Sequence, residues 1–171
     1  MANLLSYSRI FLAFILIYLI IQAHTWPAVI VILVAAITDY LDGKVARKLG
    51  QTSDFGALLD PIADRIFVLS VCLALYITFE QGPVRLAIML LVGREILISL
   101  GFYWLKLKGI RLEVSRFGKI STAFVFTSFV VTFVLPEQGT YLLLIASGLY
   151  WLSALDYAPK AWRKLESIKK N

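Results

Sequence analysis

The sequence predicts an all-α, polytopic membrane protein in which six transmembrane helices form one bundle with both termini on the cytoplasmic side. Three observations point there. The 171 residues are 60% hydrophobic and only 16% charged, with a mean hydropathy of +0.80, a balance outside that of soluble globular domains. The apolar residues gather into six runs, at 10–21, 27–41, 62–79, 84–104, 117–135 and 141–155; roughly 20 such residues make a helical crossing of a bilayer. The cations alternate between the runs. Lys44, Arg47, Lys48 and Arg65 follow the second, Lys106, Lys108, Arg111, Arg116 and Lys119 follow the fourth, and Lys160, Arg163, Lys164, Lys169 and Lys170 fill the tail, while the other turns hold almost none beyond Arg85. An excess of Lys and Arg marks the cytoplasmic face.

Taken in order, the first run has the length of a signal-peptide core, but residues 22–27, Gln-Ala-His-Thr-Trp-Pro, offer no small-x-small cleavage site. It reads as a retained helix, extended by an interfacial segment before Arg9. The second run opens on Trp26 and Pro27, an aromatic suited to the headgroup level and a proline suited to a first helical turn. Thirteen residues later, ~20 Å along a helix, Asp39 falls at the inner end of the hydrocarbon. The third run contains the only cysteine, Cys72, which leaves a packing role and excludes both a disulfide and a cysteine metal site within one chain. Inside the fourth, Arg94 and Glu95 are charges in a span, where pairing is the common outcome. Trp104, Trp151 and Trp162 are spaced as interface anchors, and Tyr150 on the sixth helix is expected on a lateral face where a second copy can dock. Repeats, linkers and low-complexity tracts are absent, so residues 1–171 are expected to form a single domain.

The net charge of +6 lies on the cytoplasmic face, where it attracts anionic headgroups or phosphorylated substrates. The cations flank spans with no soluble module between them, which argues against nucleic acid. His24 stands in an outward turn with no second ligand nearby.

Between the second and third runs lies DYLDGKVARKLGQTSDFGALLDPIADR, residues 39–65, holding five of the eleven acidic residues. Asp39 and Asp42 are three apart and Asp60 and Asp64 four apart, so each pair shares a helix face. Four converging carboxylates repel one another unless a cation sits among them. Oxygen-only donors favour Mg²⁺, Mn²⁺ or Ca²⁺, and four carboxylates suffice for two ions, an arrangement that clamps phosphoryl oxygens. Gly43, Ala46 and Gly56 keep the helix surfaces low, either for a flat ligand or for close packing, and Arg47 is placed to meet a phosphate. Asp54 is off this register and suits a loop or cap. A divalent-cation transporter would also use intramembrane aspartates, but residues 29–36 on the outward half of the second span offer no polar group to line a path.

The order Asp39-x2-Asp42-Gly43-x2-Ala46-Arg47-x8-Gly56-x3-Asp60-x3-Asp64 resembles, at eight specified positions, the signature of the CDP-alcohol phosphotransferase family. The resemblance extends to chain length and to a six-helix plan. It implies transfer of a phosphatidyl group from CDP-diacylglycerol to a hydroxyl, with release of CMP. It also implies two Mg²⁺ ions, replaceable by Mn²⁺, held by Asp39, Asp42, Asp60 and Asp64. Asp64 would be the catalytic base, and Asp42, Gly43, Ala46, Arg47 and Gly56 would bind the CDP moiety. The family further suggests a homodimer in the cell (inner) membrane.

Three segments resemble the phosphatidylglycerophosphate synthase branch: Asn3-Leu-Leu-Ser-x-x-Arg9, Val92-Gly-Arg-Glu-Ile96 and Gly118-Lys-Ile-Ser-Thr122. Ala2 replaces that branch's usual proline, and no glutamine follows Thr122. The branch implies glycerol 3-phosphate as acceptor, whose phosphate is expected on Arg111, Arg116, Lys119 and Arg94, with Glu113 balancing them. Arg94 has an alternative in pairing with Glu95. A cardiolipin synthase that uses CDP-diacylglycerol is the other reading, with phosphatidylglycerol as acceptor.

Overall fold

A computed structural model describes the backbone of residues 2–49, 54–110 and 116–155 and of 157, 159, 161, 162, 164 and 166; side chains are described for 7–38, 62–110, 117–155 and those same later positions. Six helices and no strand occur among the described residues: α1 Ala2–Ile21, α2 Thr25–Leu49, α3 Asp54–Thr78, α4 Gly82–Leu107, α5 Arg116–Val134 and α6 Pro136–Leu155. They fall into two compact units, Met1–Glu80 and Gln81–Asn171.

In the first unit α1 contacts both α2 and α3. Its buried residues Ala13, Leu16 and Ile20 recur every three or four positions, as do Ala28, Ile32 and Ala35 on α2 and Ala63, Phe67, Val71 and Leu75 on α3, the stripe that a helix presents to a neighbour. The opposite faces are equally apolar: Phe11, Phe14 and Tyr18 of α1, Ile30 of α2 and Leu73 of α3 are exposed. A helix apolar all round belongs in an apolar medium. Cys72 is buried, as a packing residue should be. α1 begins at Ala2, so the segment before Arg9 and the apolar run after it are one helix. It ends in a Schellman motif, with His24 N–H donating to the Leu19 carbonyl at 2.8 Å and Ala23 N–H to that of Ile20 at 3.0 Å. Ala23 takes the left-handed position at φ 58°, which usually goes to glycine.

The second unit has α6 against both α4 and α5. α4 starts after Gln81 with a proline in its first turn and stops at Gly109, φ +74°, where the Gly109 and Ile110 amides close on the Lys106 and Leu105 carbonyls at 2.9 Å each. Only Leu135 separates α5 from α6. Residues 136–140, which composition assigns to an outward turn, are instead the first turns of α6. Pro136 is suited to a helix start, and Gly139 meets α5 so closely that a Cβ there would lie 2.2 Å from the Thr132 Cα. The buried faces of this hairpin carry Ser128, Thr132, Thr140 and Ser147, whose hydroxyls donate to carbonyls three or four residues back at 2.6–2.8 Å. Small satisfied hydroxyls and a glycine let helices approach closely without leaving a buried polar group unpaired.

Two helices, Gly82–Leu107 and Phe117–Val134, are long and apolar enough to cross a membrane, and the described parts of α1 and α2 contribute shorter apolar segments, Tyr7–Ile21 and Thr25–Thr38.

Candidate functional site

Two consecutive helices of the first unit carry the acidic signature. α2 runs unbroken through Asp39, Asp42, Gly43, Ala46 and Arg47 to Leu49, well past the end of its apolar run. α3 starts at Asp54, has Gly56 in its first turn and continues through Asp60 and Asp64. Both pairs therefore stand at three- or four-residue spacing on continuous helix, the condition for sharing a face. The side chains of Asp39, Asp42, Ala46, Arg47 and Asp60 lie outside the described residues, as does the environment of Gly43 and Gly56.

The described side chain of Asp64 is about half exposed, at 51%, and its Oδ1 accepts a hydrogen bond from Nη1 of Arg9, which is only 10% exposed. α1 thus supplies a residue that the aspartate spacing could not reveal. A signal was present: Arg9 is the only charged residue in the 20 positions of α1, and a charge in such a segment needs a partner.

The second unit holds a buried ionic cluster on the Val92–Ile96 segment. Arg94 Nη1 donates to Glu95 Oε1 at 3.2 Å and Nη2 to Ser153 Oγ at 3.4 Å, while the Tyr150 hydroxyl donates to the same Glu95 oxygen at 2.5 Å. The guanidinium lies over the Tyr150 ring, 3.7 Å from its centroid, a cation–π contact strengthened by desolvation. Arg94, Glu95 and Tyr150 are all at least 93% buried. The pairing with Glu95 that Arg94's place in a span allowed is therefore present. Tyr150 occupies an internal position bridging α6 to α4, not the lateral face expected for a second copy. Trp151 likewise packs inward, its Nε1 donating to the Leu90 carbonyl at 2.9 Å, whereas Trp104 and Trp162 are exposed as interface anchors would be.

Thr122, the end of the Gly118–Thr122 segment, is a further side-chain neighbour of the Tyr150 hydroxyl. One turn earlier on α5 Lys119 is exposed. Arg116 is the first residue of α5 with its side chain outside the described residues, where Arg111 and Glu113 also lie.

Among the described residues no group of three or more His, Cys, Asp or Glu side chains is arranged to hold a metal ion; three of the four signature aspartates are not among them. The signature itself is a donor set of carboxylate oxygens without His or Cys, which suits a hard divalent cation.

Residues 1–155 match the CDP-alcohol phosphatidyltransferase family. A relative from Aquifex aeolicus, named CDP-diacylglycerol--glycerol-3-phosphate 3-phosphatidyltransferase, is 30% identical over 94% of this chain and 90% of its own length. A protein of the same name from Pseudomonas fluorescens is 34% identical over 96% of this chain and 91% of its own. A cardiolipin synthase (CMP-forming) from Oryza sativa subsp. japonica is 32% identical over 79% of this chain, which covers 48% of that protein. With a match spanning nearly its whole length and with both aspartate pairs on unbroken helices, the chain belongs to the CDP-alcohol phosphotransferase family of enzymes.

Proposed function

We propose that this chain transfers the phosphatidyl group of CDP-diacylglycerol to glycerol 3-phosphate, forming phosphatidylglycerophosphate and CMP. The observation that carries the reading is similarity over nine-tenths of the length of relatives named for that reaction, joined to the complete Asp39–Asp64 signature. The family match runs through both compact units, which supports treating residues 1–171 as one functional domain.

In this reading Asp39, Asp42, Asp60 and Asp64 hold two Mg²⁺ ions, with Mn²⁺ as a substitute. The bound ions would neutralise the diphosphate and stabilise charge on the departing CMP. Asp42, Gly43, Ala46, Arg47 and Gly56 bind the CDP moiety, the small residues admitting it close to the backbone. A hydroxyl oxygen of the acceptor attacks the phosphorus that bears diacylglycerol. The bond from that phosphorus to the bridging oxygen breaks, CMP leaves with the electron pair, and Asp64 takes the hydroxyl proton as general base. Arg111, Arg116 and Lys119 receive the acceptor's phosphate, while Arg94, which the sequence also offered for it, is engaged by Glu95 and Ser153 and keeps a structural role.

The apolar faces of α1 to α3 and the length of α4 and α5 support a multi-pass protein of the cell (inner) membrane. Six crossings and the distribution of Lys and Arg favour cytoplasmic termini and a cytoplasmic site. A homodimer is part of the same proposal.

The test is an assay of purified protein with Mg²⁺, CDP-diacylglycerol and labelled acceptors. Label entering lipid from glycerol 3-phosphate supports the reading. Incorporation with phosphatidylglycerol alone would favour the cardiolipin synthase reading, which the Oryza relative supports.

A further inference from the structure

We infer that Arg9 is a positioning residue for Asp64: its guanidinium holds one carboxylate oxygen so that the base is presented to the acceptor hydroxyl in a fixed orientation. The inference rests on the role proposed above for Asp64. Its own observations are the bond from Arg9 Nη1 to Asp64 Oδ1 and the contrast in exposure across it, 10% for the arginine side chain and 51% for the aspartate.

A buried guanidinium without a counter-charge is strongly destabilising, so Arg9 is constrained by where its partner stands. Asp64, half exposed, has no such constraint from burial. The orienting influence therefore runs from Arg9 to Asp64. Arg9 is followed by Ala13, Leu16 and Ile20 on the buried stripe of α1, and Asp64 adjoins Ala63 and Phe67 on that of α3. Both ends of the bond are thus anchored by packed side chains on two helices that contact each other. A half-exposed carboxylate samples several rotamers, whereas one tethered through Oδ1 is restricted to those that keep the bond. Small misplacements of a reacting group cost up to ~10²-fold in rate. A residue that orients the base should therefore act on turnover and leave the binding of either substrate alone.

The experiment compares wild type, Arg9→Gln and Arg9→Lys as full-length protein. It measures kcat, both KM values, the binding of CDP-diacylglycerol without acceptor, and the unfolding midpoint. Arg9→Gln is expected to lower kcat by about 30- to 100-fold, with donor binding and both KM values within ~3-fold of wild type and the midpoint held. Arg9→Lys, which keeps the charge but loses the planar fork, should recover part of the loss. If Arg9→Gln does not fold, Arg9→Lys alone should show the same split at smaller size. A rise in either KM with kcat intact would make Arg9 a substrate ligand and overturn the inference. Loss of activity in step with loss of stability, or unchanged kinetics, would overturn it as well. If Asp64→Asn is inactive while Arg9→Gln is fully active, the positioning role fails and the base assignment survives. If Asp64→Asn is active, the assignment of Asp64 itself fails.

Discussion

In the first unit a buried arginine on α1 reaches across to Asp64, a carboxylate that is half exposed on α3; in the second, Arg94 and its sequence neighbour Glu95 are both buried and are tied by Tyr150 and Ser153 of α6. Both arrangements place a cation in an apolar setting, where it must be compensated. The exposure of the anion distinguishes them. A carboxylate open on one side can still meet a ligand or a hydroxyl. One enclosed by a guanidinium, a phenol and packed helix is committed to holding α4 and α6 together. The half-exposed Asp64 thus suits the reactive role proposed for it, and the enclosed Glu95 suits a scaffolding one.

The largest effect that would sharpen this division is on Asp64. Asp64→Asn should lower kcat by about 10³-fold, within the range for loss of a general base, while donor binding changes only a few-fold. Retained turnover would remove the contrast at its source. Next comes the helix hairpin of the second unit. Gly139→Ala would set a methyl group 2.2 Å from the Thr132 Cα, forcing two backbones apart at a cost of about 3 kcal/mol. A lowered unfolding midpoint, with the KM values of the folded fraction unchanged, is the expected result. Arg116→Ala should raise the acceptor KM about tenfold, the loss of a charge-assisted contact worth ~1.5 kcal/mol, and leave the donor KM alone. Equal effects on both would count against an acceptor role. The smallest change is Tyr150→Phe, which keeps the ring over Arg94 and removes the bond to Glu95. Stability should fall by about 1 kcal/mol, read by denaturation, with kcat nearly unchanged. A large loss of kcat without loss of stability would move the buried cluster from scaffold to site.

Much of this was legible in the sequence for reasons that also mark the limits. All six helices follow from apolar runs, because a helix is built around the apolar residues it must bury or present to an apolar medium. Hydropathy does not report where a helix stops, so α2 continues to Leu49 and α3 begins at Asp54, carried by helix formers such as Lys44, Ala46, Arg47 and Lys48 outside the apolar stretch. Residues 136–140 resemble a turn in composition, yet their proline and glycine serve a helix start and a close crossing. Spacing was enough to expect each aspartate pair on one helix, and α2 and α3 run unbroken through them. Spacing could not find Arg9, 55 positions away from its partner, since only the packing of α1 on α3 brings the two together. The inward position of Tyr150 is hidden from the sequence for the same reason: which way a tyrosine on an apolar helix faces depends on the register of α6 against α4.

The central claim is that carboxylates from α2 and α3 gather around bound cations. Anomalous diffraction from crystals of the protein grown with Mn²⁺ would address it directly. The expected result is ion density among Asp39, Asp42, Asp60 and Asp64, with carboxylate oxygens at the ~2.1 Å typical of octahedral hard cations. Density elsewhere, or four carboxylates too far apart to share an ion, would contradict it.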